Sequence, residues 1–597
     1  MCKGIFSFLI LIFSLFSAQQ KPVQIAFLSD VHFQDLYGSF SDNYFKGIIN
    51  PETGKPTILR TMDAQLHSTR IFNENYFAFL KALDDIAKKG IKIVAMPGDF
   101  SDDGQAYNLR GLHKILDKYH EQYGIEFYMT TGNHDPVGPF RQDAGKDDFL
   151  GKDGYPLGIY SKENIGKTDR KIITKDIAES GYLEILDELK DFGFYPKDKD
   201  LFWSTPFTKY SFKDYSYEEA LQNADYNRRM YNVDKGFPVP DLSYVTEPVK
   251  GVWLMAIDGN TYIPRNLNES SKDPENYKGA SIGYNNVLTH KKHLIDWVKR
   301  TMAEAKENGK TVIAFTHYPM IDFNDGATRE IKSLLGEKKW QMERVPEEEV
   351  AQAFAEAGLQ IHFAGHMHIN DTGIRTVNGK MLVNIQVPSL AAYIPAYKVL
   401  TIHSSDRFEV QTEVLNDVPR FNELFPLYEK EYDALQESGN KMIWNKDILK
   451  SASYHDFMLF HLKELVRLRM IPDDWPKEFI ESTKDFTGED ILFLIQNKEQ
   501  LKNRRIKPEA FRKWKMGDLI LDLYKFQSAD ELARKEIPQK RLQQYKMLEI
   551  LFSAYKGQYP LIINFQRIFK ILSLLSNGDP ADHFEINLKR NAVIGLQ

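Results

Sequence analysis

Five short segments, each directly behind an apolar, β-branched run, carry side chains that grip metal ions. They are Asp30 and His32; Gly98-Asp99 with Asp102; Gly132-Asn133-His134-Asp135; Thr316-His317; and Gly365-His366-Met367-His368. Ligands so far apart in sequence meet where strands end along one edge of a sheet. The chain is therefore expected to build an α/β body with its site at the strand ends.

Residues 23–28, 91–96, 126–130, 252–257, 311–315 and 359–363 read as buried strands, and 379–385 and 397–402 as closing strands of a second sheet. Between several of them, residues 75–89, 109–123, 291–308 and 346–357 carry the apolar stripe of an amphipathic helix. This alternation predicts an α/β layered domain over 19–414. Two polar connections interrupt it, near 33–70 and 136–243. Both leave strand ends that carry ligands, so they are expected to wall a pocket. From 415 to 597 the periodicity turns helical, with Pro, Gly and Asp breaks, and predicts an all-helical C-terminal domain.

At 597 residues the chain exceeds the usual size of one hydrophobic core. Its 77 Lys and Arg against 83 Asp and Glu give a formal charge of −6, which offers no general attraction for polymeric nucleic acid or an anionic membrane. A small substrate is expected instead. Lys3, the apolar stretch 5–16 and Ser17-Ala18 have the layout of a secretory signal peptide, too short to span a bilayer. The expectation is cleavage after residue 18, no stable span in the mature chain, and a periplasmic or extracellular destination. The one cysteine, Cys2, falls inside that segment, so the mature chain would have no thiolate ligand and no disulfide.

Two cations about 3.5 to 4 Å apart need a shared anionic ligand, neutral imidazoles and an open position. Asp99 is the natural bridge. Asp30, His32, Asp99 and His368 are assigned to one ion, and Asp99, Asn133, His317 and His366 to the other. Glycines before the ligands, at 98, 132 and 365, let backbone enter a crowded site. Taken singly, each Asp is an ordinary cap or turn former and each His an ordinary structural residue; their joint order is what these readings do not explain.

The five segments, in this order, resemble the signature blocks of the calcineurin-like metallophosphoesterase superfamily over the first two thirds of the chain. The resemblance implies a four-layer α/β/β/α sandwich, two divalent or mixed-valence ions (Mn, Fe or Zn) and hydrolysis of a phosphate ester by a metal-bridging hydroxide. It also implies that His134 contacts the phosphate and protonates the leaving oxygen, with Asp102 hydrogen-bonded to its ring. The purple acid phosphatase branch has a metal-binding Tyr three residues after the bridging Asp. Asp102 stands there in this chain, which argues against a tyrosinate-bound ferric ion.

The substrate class is less constrained. Asp135 after His134, the start of the chain and its helical tail make it similar to exported bacterial phosphodiesterases, which favours a diester, cyclic nucleotides included. The alternatives are a phosphomonoesterase and a non-catalytic scaffold that keeps the fold. The helical tail has a candidate partner of its own in a second copy of the chain, as a homodimer.

Overall fold

Two seven-stranded sheets face one another. In the first, Val23–Phe27 lies between Ala396–Ser404, antiparallel, and Ile93–Pro97, parallel; Glu126–Thr130 closes one edge in parallel register. In the second, Val252–Ile257, Thr311–Thr316, Ile361–Ala364 and Lys380–Gln386 run parallel, flanked by antiparallel Asp371–Val377 and Tyr244–Val249. Phe27 of the first sheet stacks on Phe363 of the second, ring centroids 3.6 Å apart, so the inner faces interlock. Every residue of Val252–Ile257 is buried, as expected for a strand covered on both faces. The computed structural model describes residues 22–166, 168–439, 443–495 and 506–596. The expected signal segment, with Cys2, lies outside them, and no described helix is long and apolar enough to cross a membrane.

Helices Asn75–Lys89 and Ala106–Tyr123 stand beside the first sheet, and Lys292–Glu307 and Glu348–Ala357 beside the second. Each buries its apolar stripe, Phe77, Phe79 and Leu83 on the first and Leu294, Trp297 and Val298 on the third. These are the four layers that the family resemblance implies, built from the strands and helices that the periodicities predict.

The C-terminal region divides by packing. Val418, Leu427, Trp444, Phe457 and Met458 belong to the same core as the sheets. A second core, with Leu519, Leu548, Phe565 and Phe569, also takes in Ile331, Leu335 and Trp340 from the α/β part. The expectation that the tail is entirely helical is corrected at its end. His583–Asn587 pairs antiparallel onto Arg407–Val414, and Ala592–Gly595 pairs antiparallel onto His583–Asn587, which extends the first sheet. Phe584 and Ile586 alternate inward there, a period-2 signal only five residues long.

One buried contact ties this region to the start of the helix Asn75–Lys89, whose N-cap is Glu74. The Tyr428 hydroxyl donates to Glu74 Oε1 at 2.6 Å, while Glu74 Oε2 is buried without a partner. Burial pushes the Glu74 carboxyl up to about 7, against the Tyr428 hydrogen bond. The folded state then holds a proton that the unfolded chain releases near pH 4.3. Stability from this group is fully present below that value and is lost as pH rises to about 7, by about 3 kcal/mol. Glu74→Gln is expected to flatten that slope; urea midpoints at pH 5 and 7.5 measure it, and an unchanged slope contradicts it.

Candidate metal centre

The parallel strands of both sheets end at one rim, and the loops behind them carry the site. Asp30 and His32 follow Val23–Phe27, Asp99 follows Ile93–Pro97, Asn133 and His134 follow Glu126–Thr130, His317 follows Thr311–Thr316, and His366 and His368 follow Ile361–Ala364. The approach is as close as backbones allow. A Cβ on Gly132 would lie 2.2 Å from Asp99 Oδ1, and one on Gly365 1.9 Å from Ser29 Oγ, so neither position accepts a side chain. Asp30, His32, Asp99, His366 and His368 all have positive φ, between 44° and 72°. Non-glycine residues there cost of order 1 to 3 kcal/mol each and gather at functional sites. The fold holds five of the seven expected ligands in strained backbone.

Two donor clusters result, Asp30 with His32 and His368, and Asp99 with His317 and His366, all buried. In the first, His32 Nε2 lies 3.0 Å from His368 Nε2, which lies 3.3 Å from Asp30 Oδ1. In the second, His317 Nε2 lies 3.1 Å from both His366 Nδ1 and Asp99 Oδ2. Asn133 Oδ1 joins it at 3.2 Å from His317 Nε2. Asp99 Oδ2 is also 3.9 Å from His32 Nε2, so one oxygen stands between the clusters. The structure brings the seven residues together in the two groups in which the sequence reading placed them.

The donor chemistry fits cations. His317 Nδ1 faces the Pro97 carbonyl at 3.0 Å and His366 Nε2 the Ser281 carbonyl at 2.9 Å, so each donates its proton there. Their other nitrogens point lone pairs at one another beside a carboxylate, a set that a divalent ion completes. Burial, then Arg70, hold His32 well below the usual imidazole value, and burial, then Arg344, do the same for His366; both stay in the neutral form that ligates. Burial alone would raise Asp99, but His317 and His134 hold it well below the carboxylate range. Burial alone would lower His317, but the charge and hydrogen bond of Asp99, with Asp30 and the Pro97 carbonyl, hold it above the usual imidazole value.

The expected hydrogen bond between Asp102 and His134 is corrected. His134 Nδ1 pairs with Asp103 Oδ1, and Lys146 Nζ holds the other oxygen of that carboxylate. Asp102 instead receives Arg60 Nη1 at 3.0 Å and Arg70 Nη2 at 2.8 Å. Asp103 has φ 58°, a left-handed turn that sends adjacent carboxylates in different directions. Both acids are held low against burial, Asp103 chiefly by Lys146 and Asp102 chiefly by Arg70. Asp103, Arg60, Arg70, Lys146 and Arg344 were not singled out in the sequence. Only Asp103 carried a local signal, its place beside Asp102; the cations come from scattered positions, Lys146 in the strand Gly145–Leu150 and Arg344 in the short 3-10 turn Met342–Arg344 among them. Asp135 is no part of the donor clusters: it accepts from the backbone N–H of Ser101 and of Gly132 and pins the turn.

The clusters open into a cavity of about 190 Å3, lined also by residues 68–70 of the first connection, Arg344, and Leu462, Leu465 and Arg469 of the helical region. The second connection reaches the site through Lys146.

No curated protein matches the chain. Among solved structures it is similar to a dimetal phosphatase from Danio rerio (10% identity, TM-score 0.33, covering 66% of this chain and 97% of that one). It is also similar to a purple acid phosphatase from yellow lupin, Lupinus luteus (10%, 0.29, covering 66% and 52%), about half of whose length it spans. A third likeness is to the anchor protein of the inner membrane complex of Plasmodium (11%, 0.27, covering 66% and 84%). The family model for calcineurin-like phosphoesterases matches residues 23–370, more than half of the chain, and with this site at its strand ends the chain belongs to that family and is a metal-dependent phosphoesterase.

Proposed function

We propose that the ester is a small phosphomonoester, with a diester as the second reading. The observation that carries this is Arg344. It lines the cavity with Asn133, His134 and His366, and among the described residues its guanidinium has no hydrogen bond or ion pair. Arg70, by contrast, is committed to Asp102. A monoester near neutral pH has three non-bridging oxygens and close to two charges, whereas a diester has two and one. Two oxygens can turn to the two clusters; the third suits a free guanidinium, whose fork matches phosphate. The cavity is smaller than the roughly 300 to 1,000 Å3 of drug-sized sites, which favours a compact ester. The diester reading draws support from Leu462, Leu465 and Met470, an apolar wall against which a second ester group would pack.

When bound, a pair of cations supplies the charge that polarises the phosphate and makes a water acidic enough to attack. Imidazole, carboxylate and amide donors suit Mn, Fe or Zn. The chain's own residues do the rest. Asp103 orients the His134 ring through Nδ1, leaving Nε2 to give a proton to the leaving oxygen. Lys146 fixes Asp103, and the Asp102 carboxylate fixes Arg70 beside the ring. The His134 backbone N–H donates to Asp99 Oδ1 at 2.8 Å, so the acid and the shared carboxylate keep their spacing.

Arg344→Ala is expected to lower kcat/KM for p-nitrophenyl phosphate by about 10 to 100-fold, the 1.5 to 3 kcal/mol of a charged hydrogen bond, and to leave bis-p-nitrophenyl phosphate nearly unaffected. Faster diester than monoester turnover by the unaltered chain, or equal losses on both esters, contradicts the monoester reading.

A further inference from the structure

Behind the loop that carries His366 and His368, segments that each carry an aspartate come together, and among the described residues none of these four aspartates makes an ion pair. Asp371 opens the strand Asp371–Val377, Asp530 ends the helix Met516–Ala529, and Asp325 and Asp579 lie in loops. Asp371 is 4% exposed and Asp530 3%. Both carboxylate oxygens of Asp530 are buried with no hydrogen-bond partner. The segments are in contact: the Asn370 backbone N–H donates to the Ser528 carbonyl at 2.8 Å, and a Cβ on Gly578 would come within 2.4 Å of Asp325 Oδ1. Asp325 and Asp530 also hold positive φ, 51° and 45°.

The nearest positive side chains are committed elsewhere. Lys398 Nζ donates to Asn370 Oδ1 at 2.5 Å, to Thr412 Oγ1 at 2.8 Å and to the Ala581 carbonyl, and Arg534 donates to the Ser576 carbonyl. Burial and then Asp325, Asp530 and Asp579 push the Asp371 carboxyl well above its ordinary value, and burial with Asp325 does the same to Asp530. A buried carboxylate with neither donor nor counter-ion is costly, and an ion is the usual remedy.

We propose that this junction binds a hard divalent cation of the magnesium type, held by Asp371 and Asp530 directly and by Asp325 and Asp579 through water. The donors are all oxygens, which excludes a preference for softer ions. Among the described residues, only the two histidine clusters bring three such donor atoms within 4.8 Å of one another, so two direct carboxylates are the most this junction provides. That is how magnesium is commonly held, with waters completing its octahedron. The ion bolts the 528–530 turn of the helical region to the strand behind the catalytic loop. The site is separate from phosphoester hydrolysis.

The test is calorimetric titration of Mg2+, and then Ca2+, into the desalted full chain, with thermal unfolding at each concentration and elemental analysis of the retained ions. The chain is expected to take up one further equivalent and to gain Tm as Mg2+ rises. The pair Asp371→Asn with Asp530→Asn loses both effects and keeps its catalytic ions; should that pair fail to fold, Asp530→Asn alone is read the same way. Asp99→Asn keeps the uptake, which separates this site from the catalytic one. No uptake at millimolar Mg2+ or Ca2+, or equal uptake by the variants, overturns the proposal. So does a Tm that ignores both ions yet falls with rising pH only when the aspartates are present, since protons then do the ion's work.

Discussion

Asp99→Asn is expected to leave the chain folded, to abolish the paired metal content and to lower kcat/KM by at least about 1,000-fold. A cation at a reacting phosphate supplies several kcal/mol, and each 1.36 kcal/mol is a decade in rate. The argument rests on one oxygen. Asp99 Oδ2 is 3.1 Å from His317 Nε2 and 3.9 Å from His32 Nε2, the point at which the two clusters share a ligand. Asn keeps the shape and the acceptor for the His134 N–H but removes the charge both ions need. Elemental analysis and steady-state kinetics on the same preparation measure both effects. A variant with two ions per chain and near-normal turnover would show that Asp99 is not shared.

The second large effect is at His134. Its ring lines the cavity, is oriented by Asp103 and lies outside both donor clusters. His134→Ala is therefore expected to retain both ions while slowing turnover by about 100 to 10,000-fold, the usual worth of a positioned acid. The loss should be greatest for esters with poor leaving groups and small for p-nitrophenol, which departs without a proton. Equal losses across leaving groups would exclude the acid role. An emptied metal site would mean that His134 is itself a ligand.

The donor clusters were legible in the sequence because each ligand sits within five residues of a strand end, where local spacing decides its direction. Asp30, His32, Asp99, Asn133, His317, His366 and His368 all meet as that spacing requires. The ring of charges around them was not legible. Arg60, Arg70 and Lys146 reach Asp102 and Asp103 only because two long connections fold back over the rim, a tertiary fact with no local period. The assignment of His134's partner failed by one residue for a related reason. A single left-handed φ at Asp103 decides which of two adjacent carboxylates faces the ring, and composition does not record φ. At the C-terminus, a five-residue alternation was too short to stand out after long helices. Its strand identity comes from the exposed edge of Arg407–Val414, which it covers.

The most direct measurement is a crystal structure of the full chain, with anomalous diffraction collected at the edges of Mn, Fe and Zn. Two peaks about 3.5 to 4 Å apart, one beside Asp30, His32 and His368 and the other beside Asn133, His317 and His366, with Asp99 Oδ2 between them, are the predicted result. A single peak, or none in a preparation that hydrolyses phosphate esters at full rate, would contradict the two-ion centre.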